Sequence, residues 1–349
     1  MMNISPKNTL LVRVADLVKF FENVKNDFDI FIPYTSNSDN DNLFYKKFRE
    51  NLDFVPNKFR TIDPIKTLFY FTSEKILPIS NKKRKRIIFG VKNCDIQALK
   101  VLDSALLEDN FVEPNYKMWR EKSYIISSDC TDILPSCHCN LFDINPYPTK
   151  DSDKDAIFDL NFSPIDDKFL ITIGSKKGEE LVELLKKYCS VSNASAKDND
   201  KLESQYAEIR KKLTDNNSEY SSNRKYEVIA KGDSEKKWKE ISEECVECGA
   251  CTNICPTCYC IIVNDESENG KFKKVRTWDS CQLNGYAKVA GGASPREKLW
   301  ERFRNRYQCK FILMNQNFSK LGCTGCGRCI STCSAEIDKR EVIQSFQEV

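Results

Sequence analysis

Two stretches decide how this chain is read: Cys245–Pro256, CVECGACTNICP, and Cys323–Cys333, CTGCGRCISTC. Each carries four cysteines spaced Cys-x2-Cys-x2-Cys-x3-Cys, at Cys245, Cys248, Cys251 and Cys255 and at Cys323, Cys326, Cys329 and Cys333. Each also places a glycine, Gly249 or Gly327, directly after its second cysteine. A cubane needs four thiolates around one compact object. Two-residue gaps let the backbone wrap a corner of that object with N–H groups aimed at sulfur, and glycine permits the tight conformation. In two-cluster ferredoxins the fourth cysteine of each run ligates the other cluster. The repeat therefore assigns cluster A to Cys245, Cys248, Cys251 and Cys333, and cluster B to Cys323, Cys326, Cys329 and Cys255. A pair of structural zinc sites is the alternative, against which stands the usual separation of zinc ligands into two distant pairs. Ser334 replaces the proline expected after Cys333.

Composition supports metal. The chain has 349 residues, 17 cysteines and one histidine, His138. The N-terminus, MMNISPKNTLLVRVADLVKFF, has no long uncharged apolar core and no small-residue cleavage site, so it reads as mature protein of a cytoplasmic chain. Cytosolic thiols are kept reduced, and reduced cysteines in such number imply metal rather than a disulfide framework. A single histidine favours all-thiolate ligation. A formal net charge of +3 argues against nucleic acid as the main partner. The apolar runs are too short to span a bilayer, so the chain is not expected to be integral to a membrane. The basic run Lys82–Arg86 reads as a solvated turn, with an electrostatic docking patch as the alternative.

The fold class expected is α+β: an N-terminal α/β domain followed by a helical two-[4Fe–4S] ferredoxin-like domain. Residues 1–189 form the first. Leu10–Val24 and Asp95–Leu106 have helical apolar spacing, and Glu179–Tyr188 is a helix opened by Gly178. Asp29–Pro33, Thr67–Phe71, Arg86–Val91, Tyr124–Ser127 and Phe169–Ile173 read as strands. Residues 190–232 are polar and small and read as a linker or surface excursion, with an exposed helix at Glu203–Leu213. Residues 233–349 form the dicluster domain. Asp233 or Ser234 caps a helix carrying Trp238 and Ile241. Ser294-Pro295-Arg296-Glu297 reads as a capping box that starts a helix running to Tyr307. The 67 residues between Cys255 and Cys323 exceed the gap of a small ferredoxin, so helices are expected to pack around the clusters. Arg296, Arg302, Arg304, Arg306 and Lys310 in that gap either offset cluster charge or form a solvated face.

Nine cysteines remain. Cys94 follows the strand RIIFGV, and Cys130, Cys137 and Cys139 follow SYIISS; loops beyond strand ends are where α/β sheets place sites. These four suffice for a third [4Fe–4S] cluster, with inert buried thiols and zinc as alternatives. His138, inside the Cys-x-Cys, reads as a solvent-facing spacer. Cys258, Cys260 and Cys281 are either further ligands or small buried hydrophobes. Cys189 and Cys309 read as structural. No G-x-G-x-x-G fingerprint or P-loop is present, and one histidine leaves little for acid–base chemistry. The pattern is that of a relay. The rival readings are an oxidoreductase subunit that itself binds flavin or substrate, and a metal-stabilised scaffold.

ECVECGACTNICPTCYC, RTWDSCQLNGYAKVAGGASPREKLWERFRNR and GCTGCGRCISTC resemble the iron–sulfur subunits of anaerobic sulfite reductase and the β subunits of sulfhydrogenase. KTLFYFTSEKIL, IIFGVKNCDIQALKVLD and the Cys130–Cys139 loop are similar in the same order, so the resemblance covers most of the chain outside 190–232. His138 stands where family members often have an aromatic, and GGASPRE differs from a GGH-type segment. The resemblance implies an electron carrier in an anaerobe's multisubunit complex. Its neighbours there would be a flavin/NAD(P)H-binding (or ferredoxin-oxidising) subunit on one side and a catalytic reductase- or hydrogenase-type subunit on the other.

Overall fold

The computed structural model describes residues 9–36, 39–49, 56–76, 83–108, 112–149, 157–220, 229 and 234–346. An eight-stranded sheet organises the N-terminal half. Its strands are β1 (Leu10–Arg13), β2 (Phe28–Ser36), β3 (Asp39–Lys47), β5 (Lys85–Val91), β6 (Ser123–Ser128), β7 (Leu160–Ile165), β8 (Lys168–Ile173) and β9 (Val191–Asn193), in the order β3-β2-β5-β6-β7-β8-β1-β9. β2, β5, β6 and β7 run parallel; the flanking pairs are antiparallel. Strands buried on both faces need apolar runs rather than alternation, which is why RIIFGV and SYIISS read so plainly.

Helices α1 (Val14–Val24) and α4 (Lys176–Tyr188) bury Leu17, Phe20, Phe21, Leu181 and Leu185 against one face. α2 (Asn93–Leu106) and α3 (Pro114–Lys122) bury Ile96, Leu99, Leu102, Tyr116 and Trp119 on the other. The expected helix over Leu10–Val24 is thus split, its first residues forming β1. Thr67–Phe71 is not a strand: after Pro64 the chain makes a 3-10 turn, Ile65–Leu68, packed into the second core. A short run buried all round has no period to separate helix from strand. β4 (Ser73–Lys75) follows.

The linker expected over 190–232 is corrected most. β9 pairs with β1, and α5 (Ala196–Asn216) is a 21-residue helix. Ser195 opens α5, its hydroxyl accepting the Asp198 amide at 3.3 Å while the Asp198 carboxylate accepts the Ser195 amide at 2.8 Å. Leu202, Tyr206 and Ile209 of α5 pack on Leu11, Ile165 and Leu170 of the sheet. Most of 221–233, including Asp233, and Lys82 of the basic run lie outside the described residues.

In the C-terminal part Ser234 caps α6 (Glu235–Ser242), whose Trp238 is fully buried. The cluster motifs carry α7 (Ala250–Asn253) and α10 (Arg328–Ser331). Between them lies an antiparallel hairpin, β10 (Ile261–Glu268) and β11 (Lys271–Trp278), to which β4 adds as a third strand. The part is therefore not purely helical. α8 (Leu299–Gln308) begins four residues later than Ser294 predicts, with Lys298 rather than Ser294 at its N-cap. Glu301 caps it by accepting the Lys298 amide at 2.9 Å, while Ser294 accepts the Arg296 amide in a preceding turn. A π-helical turn, Cys309–Leu313, leads into α9 (Met314–Phe318), and α11 (Lys339–Ser345) ends the described chain. Among the described residues no helix is long and apolar enough to cross a membrane.

Candidate iron–sulfur centres

The two motifs fold so that each fourth cysteine meets the other run. Cys245, Cys248, Cys251 and Cys333 line one cavity of about 410 Å3, counting the part open to solvent, together with Val246 and Arg306. The α7 and α10 turns pack on each other, each opened by a glycine in the left-handed region, Gly249 at φ 71° and Gly327 at φ 73°. Cys255, Cys323, Cys326 and Cys329 are all buried, and their charges bear on one another. Lys310 Nζ lies 3.1 Å from Cys255 Sγ and Lys339 Nζ 3.6 Å from Cys323 Sγ.

Electrostatics separate these thiols. A hydrogen bond from Cys258 holds Cys255 well below the usual thiol range against its burial, with Lys310 and Lys339 adding to the effect. Burial raises Cys323, but Lys339 and His138 outweigh it and bring it to about 6. Burial pushes Cys326 up to about 11 despite Arg328 and Arg60, and raises Cys329. Cys245 is likewise raised to about 11 by burial. Arg306, 5 % exposed, faces Cys251 of one set and Cys329 of the other. Of the five basic residues singled out from the sequence, Lys310 and Arg306 thus turn inward to thiols. Arg302 binds Glu247 and the Arg296 carbonyl, and Arg304 lies over the Trp300 ring at 4.9 Å. Arg296 bears on Cys309.

The N-terminal thiols also converge. Cys94 lies in the first turn of α2, beyond β5, and Cys130 lies beyond β6, at the carboxyl edge of the parallel strands. With Cys137 and Cys139 they line a cavity of about 390 Å3. Gly325 and Cys326 of the second motif complete its wall. Burial drives Cys94 and Cys139 far up and Cys130 to about 12. Such protonated thiols become ligands only when a metal displaces the proton. Lys92, 1 % exposed, reaches this wall and binds the Asn57 and Asp129 carbonyls at 2.6 Å each.

His138 is not solvent-facing. It is 1 % exposed, its Nδ1 lies 2.8 Å from the Ser136 carbonyl, and its other ring nitrogen, Nε2, faces the Cys323 thiol. The reason is Gly325: a Cβ there would sit 2.4 Å from Cys139 Cα and from the His138 carbonyl oxygen, so only glycine lets the two loops touch. The His138 amide donates to the Gly325 carbonyl at 2.8 Å. An aromatic-sized ring between two cysteines was the available signal, since a ring that large is seldom left in water at a site.

Among the described residues no three His, Cys, Asp or Glu side chains close on one point as a single metal ion requires, and this holds for the dicluster cysteines too. Each set offers four thiols and no other donor, the all-sulfur chemistry that a cubane takes. The donor sets fit cubanes, which supply one-electron transfer when bound.

Comparison with known proteins agrees. The 4Fe-4S dicluster domain family matches residues 244–337. Sulfhydrogenase 2 subunit beta of Pyrococcus furiosus is 30 % identical over 295 residues, covering 84 % of this chain and 83 % of that protein. The chain is an iron–sulfur electron-transfer subunit, and it belongs to the family of sulfhydrogenase β subunits.

Proposed function

We propose that this chain relays electrons within a multisubunit redox complex, between a subunit that oxidises NAD(P)H through a flavin (or oxidises ferredoxin) and a catalytic subunit of reductase or hydrogenase type. Cluster A is held by Cys245, Cys248, Cys251 and Cys333, cluster B by Cys323, Cys326, Cys329 and Cys255. A third [4Fe–4S] cluster is held by Cys94, Cys130, Cys137 and Cys139.

One observation carries the reading: the three thiol sets are contiguous. Cys326 of cluster B lines the N-terminal cavity, and Arg306 faces thiols of both A and B. A relay needs neighbouring redox centres under shared dielectric shielding, and buried sets in contact supply it. The chain's own residues orient the sulfurs, exclude water and offset negative charge with Lys92, Arg306, Lys310 and Lys339. At the cluster A end Cys248 is exposed, Val246 is 64 % exposed and Leu283 40 % exposed, which suits an outlet under a partner protein.

The test is Cys326→Ser in the intact complex. Cluster B signals in the reduced EPR spectrum should be lost or altered and electron flow between donor and acceptor cut at least tenfold. Undiminished flow would overturn the relay, and zinc without iron or sulfide in the anaerobically purified chain would overturn the clusters. For the third cluster, Cys137→Ser/Cys139→Ser should remove about four irons per chain.

A further inference from the structure

The turn Cys255-Pro256-Thr257-Cys258 joins a proposed ligand of cluster B to a thiol that belongs to none of the three proposed clusters. The Cys-x2-Cys spacing alone says little, because the cluster runs repeat it. Contact sets this pair apart: the Cys258 thiol donates a hydrogen bond to Cys255 Sγ. The backbone explains why the two sulfurs meet. The Cys258 amide donates to the Cys255 carbonyl at 3.4 Å, closing a turn from the first residue to the fourth. Such a turn holds its end Cα atoms within about 7 Å, and a disulfide spans about 4.4–6.8 Å between Cα atoms. A bond between these sulfurs is therefore within reach of side-chain rotation.

The turn is also pinned from outside. Thr257, fully buried, donates from Oγ1 to the Gly322 carbonyl at 2.6 Å. Lys66 Nζ donates to the Thr252 carbonyl at 3.4 Å and the Cys258 carbonyl at 3.0 Å, and the Tyr70 hydroxyl donates to the Tyr259 carbonyl at 3.2 Å. None of these bonds runs through sulfur, so they hold the two thiols together after iron has gone. The second motif supplies the contrast. There the Glu336 amide donates to the Cys333 carbonyl at 3.1 Å, the same turn behind the other crossing ligand, but a carboxylate stands where Cys258 has its thiol.

We propose that Cys255 and Cys258 close a reversible disulfide once cluster B has been lost to a peroxide, keeping the crossing ligand in a recoverable form. The S–H bonds of both cysteines break, the Sγ–Sγ bond forms, and the two electrons and two protons released convert one hydrogen peroxide into two waters. Cys255 is thereby kept from the sulfinic and sulfonic acids, which are not reduced back to thiol in this setting. While the bridge stands, Cys255 is withdrawn from the ligand set of cluster B, and refilling waits for a reductant. This inference rests on the assignment of Cys255 to cluster B, and not on the N-terminal cluster.

The full chain is to be purified anaerobically, as wild type and as Cys258→Ser. Iron and acid-labile sulfide in the untreated wild type report the cluster reading by themselves. Both proteins are then exposed to hydrogen peroxide, alkylated after denaturation, digested without reductant and read by peptide mass spectrometry. The expected result in the wild type is a bridge localised to Cys255 and Cys258. In Cys258→Ser, Cys255 should instead carry sulfinic or sulfonic acid. After dithiothreitol, ferrous iron and sulfide, cluster B signals in the reduced EPR spectrum should return in the wild type and be several-fold weaker in Cys258→Ser. Alkylated Cys258 in the peroxide-treated wild type overturns the proposal, as does a bridge from Cys255 to any other cysteine, or equal recovery of both proteins. Loss of cluster B iron in untreated Cys258→Ser overturns it too, by making Cys258 a ligand. Should the variant not fold, the bridge in the wild type decides alone. An untreated chain without iron would fail the cluster reading, whatever the state of the two thiols.

Discussion

Lys310 puts a full charge 3.1 Å from Cys255 Sγ, with 2 % of its surface exposed. Burial alone would lower its pKa, yet the thiols around it reverse the effect and hold the ammonium charged. A cation there favours the more negative, reduced state of whatever Cys255 ligates. Lys310→Met keeps the aliphatic stem and removes the charge. A unit charge about 5 Å away at an effective dielectric of about 20 is worth about 3 kcal/mol. Since 59 mV corresponds to a tenfold change per electron, cluster B should move on the order of 100 mV more negative. An EPR-monitored redox titration measures this, and an unchanged midpoint would remove Lys310 from the tuning set. His138→Phe is a gentler companion. The ring keeps its place 5.7 Å from Phe142, but the nitrogen facing Cys323 is lost. The midpoint should again fall, by tens of millivolts, as for a hydrogen bond differing by about 1 kcal/mol between redox states. Neither role was legible beforehand. The thiolate spacing lies within one short run, whereas Lys310 was one of five basic residues whose directions no period distinguishes.

Helix α5 shows what residue composition conceals at the scale of an element. The run from Ser190 is polar, but Leu202, Tyr206, Ile209 and Leu213 recur at helical spacing, and Ser195 with Asp198 forms a capping box. Both signals were in the sequence; only Glu203–Leu213 reads there as an exposed helix, and the polar average hid its earlier start and its buried face. The same is true of the β10–β11 hairpin, whose Asn269-Gly270 turn, with φ of 52° and 74°, is the pair that a type I′ turn demands. By contrast β5, β6 and α2 were legible because a buried strand and a periodic helix leave strong local patterns. The consequence of α5 is functional. Its C-terminal end holds the Cys137 loop: Asn217, fully buried, donates to the Cys137 carbonyl at 2.9 Å and to Asn140 Oδ1 at 3.1 Å, and accepts from Arg340 at 3.0 Å. Asn217→Leu leaves those groups without partners, at about 1–3 kcal/mol for each one stranded. The variant should lose about 2–4 kcal/mol in anaerobic urea unfolding. It should also shed the iron of the proposed N-terminal cluster while keeping the dicluster. Full iron with unaltered stability would show that α5 merely covers the sheet.

At the scale of the whole molecule, the boundary drawn between residues 189 and 233 does not separate independent units. Tyr259, Ile261 and Trp278 pack into the core under α2 and α3. Arg276 of β11, 1 % exposed, is held by Glu74 at 2.8 Å and Glu113 at 3.2 Å. Arg60 reaches the Cys326 carbonyl and both Ser136 and Ser331. No local pattern announces such contacts, because the partners lie some two hundred residues apart and are ordinary side chains. Arg328 makes the strongest test. It stands between Gly327 and the proposed ligand Cys329, yet its guanidinium forms a two-pronged pair with Asp95, both bonds 2.7 Å, beside Cys94 of the N-terminal set. Arg328 and Asp95 are each 1 % exposed. Removing one partner of such a buried pair strands the other charge and typically costs about 3–5 kcal/mol. Asp95→Ala should therefore destabilise the chain by about that amount. The stranded guanidinium, seeking water, would pull on the turn that carries Cys326 and Cys329. Cluster B should be lost to a chelator several-fold faster than cluster A, which has no ligand adjacent to Arg328. Asp95→Asn, which keeps one acceptor oxygen, should recover part of both effects. Equal loss rates for the two clusters in Asp95→Ala would mean that the halves are merely packed together, with cluster B indifferent to the domain it rests on.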